Sequence, residues 1–134
     1  MAFLVGAVLA LSVCLFAGLV GLDRDRAFYP TVMIVVASYY ALFAVMGGSM
    51  QALLVESLAI AAFVGAAVAG FKRSAWLVVA ALAAHGVFDF VHLRLIANPG
   101  VPAWWPDFCM AYDLVAAAYL ALLLRTSKVH AAAA

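Results

Sequence analysis

The sequence predicts an all-α fold, a polytopic membrane helix bundle with five transmembrane helices that forms a single integral membrane domain over residues 1–134. Two observations predict it. The composition is 71% hydrophobic and only 10% charged, whereas a soluble domain is about half apolar and about a quarter charged. The apolar residues also fall into five runs, each close to the ~20 residues that a helix needs to cross a bilayer.

The five predicted spans follow one another with short breaks. They lie at about 2–22, 31–47, 51–71, 75–97 and 108–124. Pro30 precedes the second span, and proline is favoured in the first helical turn because its missing N–H needs no partner there. Gly47 and Gly48 mark the break before the third span, and three prolines stiffen the loop before the fifth.

The distribution of Lys and Arg predicts the orientation, because these residues are enriched in cytoplasmic loops. Three basic pairs follow the odd-numbered spans: Arg24 and Arg26, Lys72 and Arg73, and Arg125 and Lys128. The other two connections contain no Lys or Arg. We therefore predict a multi-pass protein of the plasma (inner) membrane, with the N-terminus outside and the C-terminus cytoplasmic. Arg94, near the outer end of the fourth span, is the exception.

The most informative feature is a set of ionisable residues inside the fourth span. His85, Asp89 and His92 stand at positions i, i+4 and i+7, which lie on one face of a helix. Ionisable side chains cost several kcal/mol at bilayer depth, so they are rare there and usually face the interior of a bundle. This face is the predicted functional site.

Carboxyl groups from three spans reach a similar predicted depth. At the rise of a helix, Glu56 lies ~8 Å, Asp113 ~9 Å and Asp89 ~12 Å below the outer membrane edge. The parsimonious interpretation is one polar site in the outer half of the bilayer, joining the third, fourth and fifth helices. The catalytic candidates are therefore Asp89, His85, His92, Glu56 and Asp113.

Other side chains are candidates for substrate binding. Arg94 would hold an anionic group or a carboxylate, and the remaining candidates are aromatic: Tyr39, Tyr40, Tyr112, Trp104 and Trp105. The two tryptophans suit either an interfacial anchor or a lid over the site. Cys109 shares a helix face with Asp113, but a buried cysteine most often behaves as a small apolar side chain.

Two kinds of chemistry suit this set. As metal ligands, His85, Asp89, His92, Glu56 and Asp113 would favour a divalent metal, zinc or iron, which could activate water in a hydrolase. His85 and His92 are ~10 Å apart along the helix axis, so two adjacent ions, or one ion bound through Asp89 and one histidine together with Glu56 and Asp113, fit better. Without a metal, several carboxyl groups in low dielectric cannot all ionise, and a carboxyl–imidazole pair could serve an isomerase by acid–base catalysis. Both lead to one favoured function, a membrane-embedded enzyme that acts on a lipidic or apolar small molecule.

Two other classes of function stay open. Carboxyl and histidine groups inside helices also form proton paths, so the protein could be a small proton- or ion-coupled transporter. It could equally be an accessory subunit of a larger membrane complex, with the polar residues as structural contacts. The expected partners are the lipid bilayer and the small molecule, with a homo-oligomer or a membrane complex open, and the net charge of +1 gives no indication of nucleic acid.

Overall fold

The computed structural model describes residues 1–126, and over that range the chain is a helical bundle without β-strands. The helices are α1 (Ala2–Val20), α2 (Phe28–Met46), α3 (Met50–Lys72), α4 (Ala75–Leu95) and α5 (Trp105–Arg125). Each is long and apolar enough to cross a membrane. The predicted fold class is therefore confirmed, and the chain is a multi-pass membrane protein. The orientation of the termini stays a prediction, and Lys128 lies outside the described residues.

Local sequence signals mark one helix end and two helix starts. Gly21, with φ of 86°, ends α1 in the left-handed conformation that glycine adopts without steric cost. Ser49 precedes α3, and its side-chain oxygen accepts a hydrogen bond from the Ala52 N–H at 3.1 Å. Ser74 caps α4 in the same way through the N–H of Trp76 at 3.3 Å. These caps satisfy backbone groups that helix ends leave without partners.

Two helices begin three residues earlier than predicted, α2 at Phe28 and α5 at Trp105. In both, the proline that suggested a boundary lies within the first turn, where the helix needs no N–H from it. Pro106 therefore belongs to α5 rather than to the preceding loop. At the end of α4, the backbone is already extended at Ile96.

The order in which neighbouring helices pack differs from their order in the sequence. α1 packs on α5, α5 on α4, α4 on α3, and α3 on α2, which also touches α4. Gly6 allows the close approach of α1 to α5, because a Cβ atom there would overlap the carbonyl oxygen of Phe108. Within the described range, α1 and α2 are neighbours in sequence but are not among the main packing pairs.

The loop between α4 and α5 closes one end of the bundle. This end also carries the turn between α2 and α3, and we name it the outer end after the predicted orientation. Gly100 lies so close to the Phe43 carbonyl oxygen that a Cβ atom would overlap it. Val101 packs against the buried apolar core. The loop is thus seated on the end of α2.

Candidate functional site

Eight polar or sulfur-containing side chains are buried together beneath the outer end. We name them the polar core: Tyr40, Glu56, His85, Asp89, His92, Asn98, Cys109 and Asp113. None is more than 5% exposed. They come from α2, α3, α4, α5 and the loop after α4, so nearly every structural element of the outer half contributes to one buried site.

The central helix α4 turns one face toward the polar core and the opposite face outward. His85, Asp89 and His92 are buried. Phe90 and Leu93, on the other side, are exposed in the bundle by 61% and 55% and would face lipid. An apolar outer face and a polar inner face fit a helix that places ionisable groups where other helices can supply partners.

One half of the polar core is built around His85. Its Nδ1 lies 2.6 Å from Asp113 Oδ2 on α5 and 3.3 Å from Asp89 Oδ2, one turn along α4. The Tyr40 hydroxyl group donates a hydrogen bond of 2.5 Å to the other oxygen of Asp89. Cys109 completes this half, because single ligand atoms of His85, Asp89, Cys109 and Asp113 all lie within 4.8 Å of one another. We name these four residues the His85 group.

The second half is built around Glu56 of α3. Glu56 Oε1 lies 2.7 Å from His92 Nε2 and accepts a hydrogen bond of 2.9 Å from the Asn98 side chain. Asn98 Nδ2 also donates to the Tyr40 carbonyl oxygen at 3.0 Å. Its Oδ1 accepts from the Gly100 N–H at 3.2 Å. Asn98 thereby ties the outer loop to α2 and α3 through one buried amide.

Aromatic rings separate and cover the two halves. The Tyr40 ring stacks on the His92 imidazole with centroids 3.9 Å apart. The Phe63 ring meets the His85 imidazole edge-on at 4.7 Å, and Phe88 lies edge-on to both Tyr40 and His92. This packing holds the imidazoles in fixed orientations and keeps the site apolar around its polar groups.

The carboxyl groups of the polar core are incompletely paired. Within the polar core, four buried atoms have no hydrogen-bond partner among the described residues: Glu56 Oε2, Asp89 Oδ2, His92 Nδ1 and Asp113 Oδ1. No Lys or Arg within residues 1–126 forms an ion pair with these carboxyl groups. Buried polar atoms without partners are rare in proteins, so each of these atoms is expected to have a further partner, which a water molecule, an ion or a ligand could supply.

The structure brings some predicted site residues together and leaves others apart. Asp89, His85, His92, Glu56, Asp113 and Tyr40 all belong to the polar core. Arg94 does not, because it is exposed on the other face of α4 with its guanidinium 6.0 Å from the Phe90 ring centre. Trp104 is also exposed. Glu56 and Asp113, expected in one polar site, lie in different halves of the polar core.

Sequence reasoning did not select two members of the polar core. Cys109 stands four residues before Asp113, so the sequence places both on one helix face. A buried cysteine, however, usually indicates only apolar packing. Asn98 lies in the outer loop just before Pro99, where an asparagine usually indicates a turn. Only the fold of the loop over α2 shows that its amide is buried.

The other predicted aromatic residues line an apolar cavity of about 370 Å³ between α1, α2 and α5. Tyr39, Trp105 and Tyr112 form part of its wall, and Cys109 is also in the wall. Leu9 and Val35, which also line it, are about half exposed, so the cavity opens sideways where α1 and α2 are apart. Cys109 is therefore common to the cavity and to the His85 group.

No protein-family model, curated protein or solved structure matches the chain.

Proposed function

We propose that the protein is a membrane-embedded enzyme that acts on a lipidic or apolar small molecule at the polar core. The observation that carries this proposal is the position of Cys109, which belongs both to the cavity wall and to the His85 group. An apolar chain entering between α1 and α2 would come next to buried carboxyl and imidazole groups without crossing water. The lateral opening suits a substrate that arrives from the bilayer.

The polar core supplies the groups that hydrolysis or isomerisation requires. Asp89, Asp113 and His85 would either hold a divalent metal or transfer protons to and from the substrate. Tyr40 positions Asp89 through its hydrogen bond. At the cavity, Trp105 has an indole Nε1–H without a partner among the described residues, which could donate to a polar group of the substrate.

Lipid turnover by Asp89→Asn tests the proposal. Wild type and variant would be reconstituted into vesicles made from total lipid of the expression host, and lipid masses would be followed by mass spectrometry. We expect wild type to convert a lipid species and the variant to do so about 10²–10⁴-fold more slowly, the usual contribution of a proton-transfer group. Identical lipid profiles from two folded proteins would contradict the enzyme proposal.

A substitution that fills the cavity tests separately whether the substrate enters through it. Val36 is buried and lines the cavity, so Val36→Trp should block it. Leu58→Trp is the matched control, because Leu58 is 75% exposed on α3 and lies outside the cavity wall. A photoreactive fatty acid should label wild type and Leu58→Trp on α1, α2 or α5, and label Val36→Trp much less. Equal labelling of all three would exclude the cavity as the binding route.

One observation favours proton-coupled transport as a second candidate. Asp23, between α1 and α2 at the inner end, is buried. It faces Tyr119 across Gly18, since a Cβ on Gly18 would lie 3.4 Å from Asp23 Oδ2 and 3.5 Å from the Tyr119 hydroxyl oxygen. Polar groups thus occur at both ends of the bundle. Proteoliposomes with an internal pH dye would show flux that Asp23→Asn abolishes, whereas an absence of flux would remove this candidate.

The third alternative, an accessory subunit of a larger membrane complex, predicts a partner. Purification from native membranes in mild detergent would recover that partner in fixed proportion to this chain. A single monodisperse species would instead favour a protein that works alone or as a homo-oligomer.

A further inference from the structure

The two halves of the polar core differ in charge balance. In the Glu56 half, one carboxyl group meets one imidazole and the Asn98 amide. In the His85 group, two carboxyl groups share one imidazole nitrogen, and no Lys or Arg of the described chain pairs with them. An uncompensated charge at this depth is costly. With both carboxyl groups ionised, the His85 group would need at least one more positive charge than its own side chains supply.

We propose that a zinc ion occupies the His85 group, with His85 Nδ1, Cys109 Sγ and one oxygen each from Asp89 and Asp113 as ligands. Zinc binds cysteine as the thiolate, so the site would contain two carboxylates, one thiolate and a neutral imidazole. The divalent cation would offset two of these three negative charges directly at the ligand atoms. This assignment narrows the candidate metal ligands: Glu56 and His92 form their own pair and lie outside the site.

The geometry of the four side chains fits one small ion. Ligand atoms of a tetrahedral zinc site lie about 2.0–2.3 Å from the metal and hence about 3.4 Å from one another. Here His85 Nδ1 is 2.6 Å and 3.3 Å from the two aspartate oxygens, and all four ligand atoms lie within 4.8 Å. Shifts of side chains alone would bring these atoms to coordination distance.

The unpaired oxygens point to the same occupant. Asp113 Oδ1 accepts no hydrogen bond among the described residues, and Asp89 Oδ2 has only His85 Nδ1 nearby, at 3.3 Å. Both residues are fully buried. Tyr40 donates to Asp89 Oδ1, which fixes the carboxylate and leaves its second oxygen available as a ligand. Hydrogen bonds of this kind commonly orient the ligands of protein metal sites.

The ligand types select the metal. A thiolate and an imidazole with two carboxylates suit zinc, whereas magnesium and calcium prefer sites made of oxygen alone. Four protein ligands close a tetrahedral zinc site, so zinc here would polarise a substrate carbonyl or activate water only when one aspartate gives up its position to that group. Binding itself does not depend on the proposed enzyme function, so the two proposals can fail separately.

Elemental analysis of protein purified in mild detergent, after zinc supplementation and removal of excess metal, tests the site. We expect one zinc per wild-type chain and loss of zinc in Cys109→Ala and in Asp113→Asn. Two matched controls should retain it: Cys14→Ala, which removes the other buried cysteine, and Glu56→Gln, which alters the other half. Wild type without zinc, or zinc retained in both ligand variants, would overturn the assignment.

Cobalt binding keeps the proposal testable if the ligand variants fold poorly. Cobalt added to metal-free wild type should give the near-ultraviolet charge-transfer band of a cobalt–thiolate bond, and Cys14→Ala should give the same band. A cobalt spectrum without that band would exclude Cys109 as a ligand. Zinc retained by a protein without lipid turnover would support the metal site and count against the enzyme proposal.

Discussion

The ring of Tyr40 lies almost parallel to the imidazole of His92, with an angle of 18° between their planes and 3.9 Å between their centroids. The same tyrosine donates its hydroxyl hydrogen to Asp89 and accepts from Asn98 through its carbonyl oxygen. One residue of α2 therefore contacts both halves of the polar core. The two halves therefore share this side chain as a common packing and hydrogen-bonding partner.

Tyr40→Phe should separate the hydrogen bond from the stacking. The variant keeps the ring on His92 but leaves Asp89 Oδ1 without its donor, so we expect a loss of about 1–3 kcal/mol in the free energy of unfolding. Thermal unfolding in detergent would measure it. Tyr39→Phe is the control, since Tyr39 is partly exposed and its hydroxyl has no hydrogen bond within the described chain. Equal stability of the two variants would refute the importance of the Tyr40–Asp89 contact.

Asn98→Ala should loosen the outer loop. It removes donors from Glu56 and from the Tyr40 carbonyl, and the acceptor of the Gly100 N–H. We expect a loss of about 2 kcal/mol or more, because buried acceptors are left unpaired. Protease cleavage between α4 and α5 should become faster. Ser57→Ala, whose exposed hydroxyl bonds only to the preceding turn of α3, should behave as wild type; a loop equally resistant in Asn98→Ala would contradict this role.

Gly6→Ala should push α1 away from α5. A Cβ atom would overlap the Phe108 carbonyl oxygen, and backbone cannot give way as a flexible side chain can. We expect a loss of about 1–3 kcal/mol, typical of overpacking. Gly65→Ala is the matched control, because a Cβ at Gly65 meets nothing within 4 Å. Comparable unfolding temperatures for both variants would show that α1 and α5 do not depend on this contact.

The predicted orientation can be measured with single cysteines in a Cys14→Ala, Cys109→Ala background. Trp104→Cys at the outer loop should react with a membrane-impermeant maleimide added to intact cells. Arg24→Cys, at the opposite end, should react only after the membrane is opened. The reverse pattern would invert the topology and place the polar core in the inner half of the bilayer.

The sequence carried enough information for the helices and for most of the polar core. Apolar runs of spanning length determine the five helices, and Asp89 or Glu56 is conspicuous because a carboxyl group is so costly within such a run. The predicted helix boundaries near prolines were less accurate, because a proline such as Pro106 fits equally well in a loop and in the first turn of a helix. The residue types alone do not distinguish these two positions.

The pairing inside the polar core could not be predicted in the same way. His85 meets Asp113 and His92 meets Glu56 because of how α3 and α5 are rotated against α4, and a hydrophobic pattern does not fix that rotation. The position of Arg94 outside the polar core, by contrast, could have been predicted from the sequence. Arg94 stands five residues after Asp89, which at 3.6 residues per turn places it about 140° around the helix. That angle carries Arg94 away from the carboxyl groups.

The close packing of α1 on α5 has a consequence for how the bundle assembles during synthesis. The first helix leaves the ribosome with its Gly6 surface bare, and its partner follows only after about a hundred further residues, several seconds later at ordinary translation speeds. Until then α1 lacks its main partner in the described bundle, while α2, α3 and α4 can already associate. The packing of α1 on α5 is thus the contact of greatest sequence separation among these helices, and it also forms part of the cavity wall.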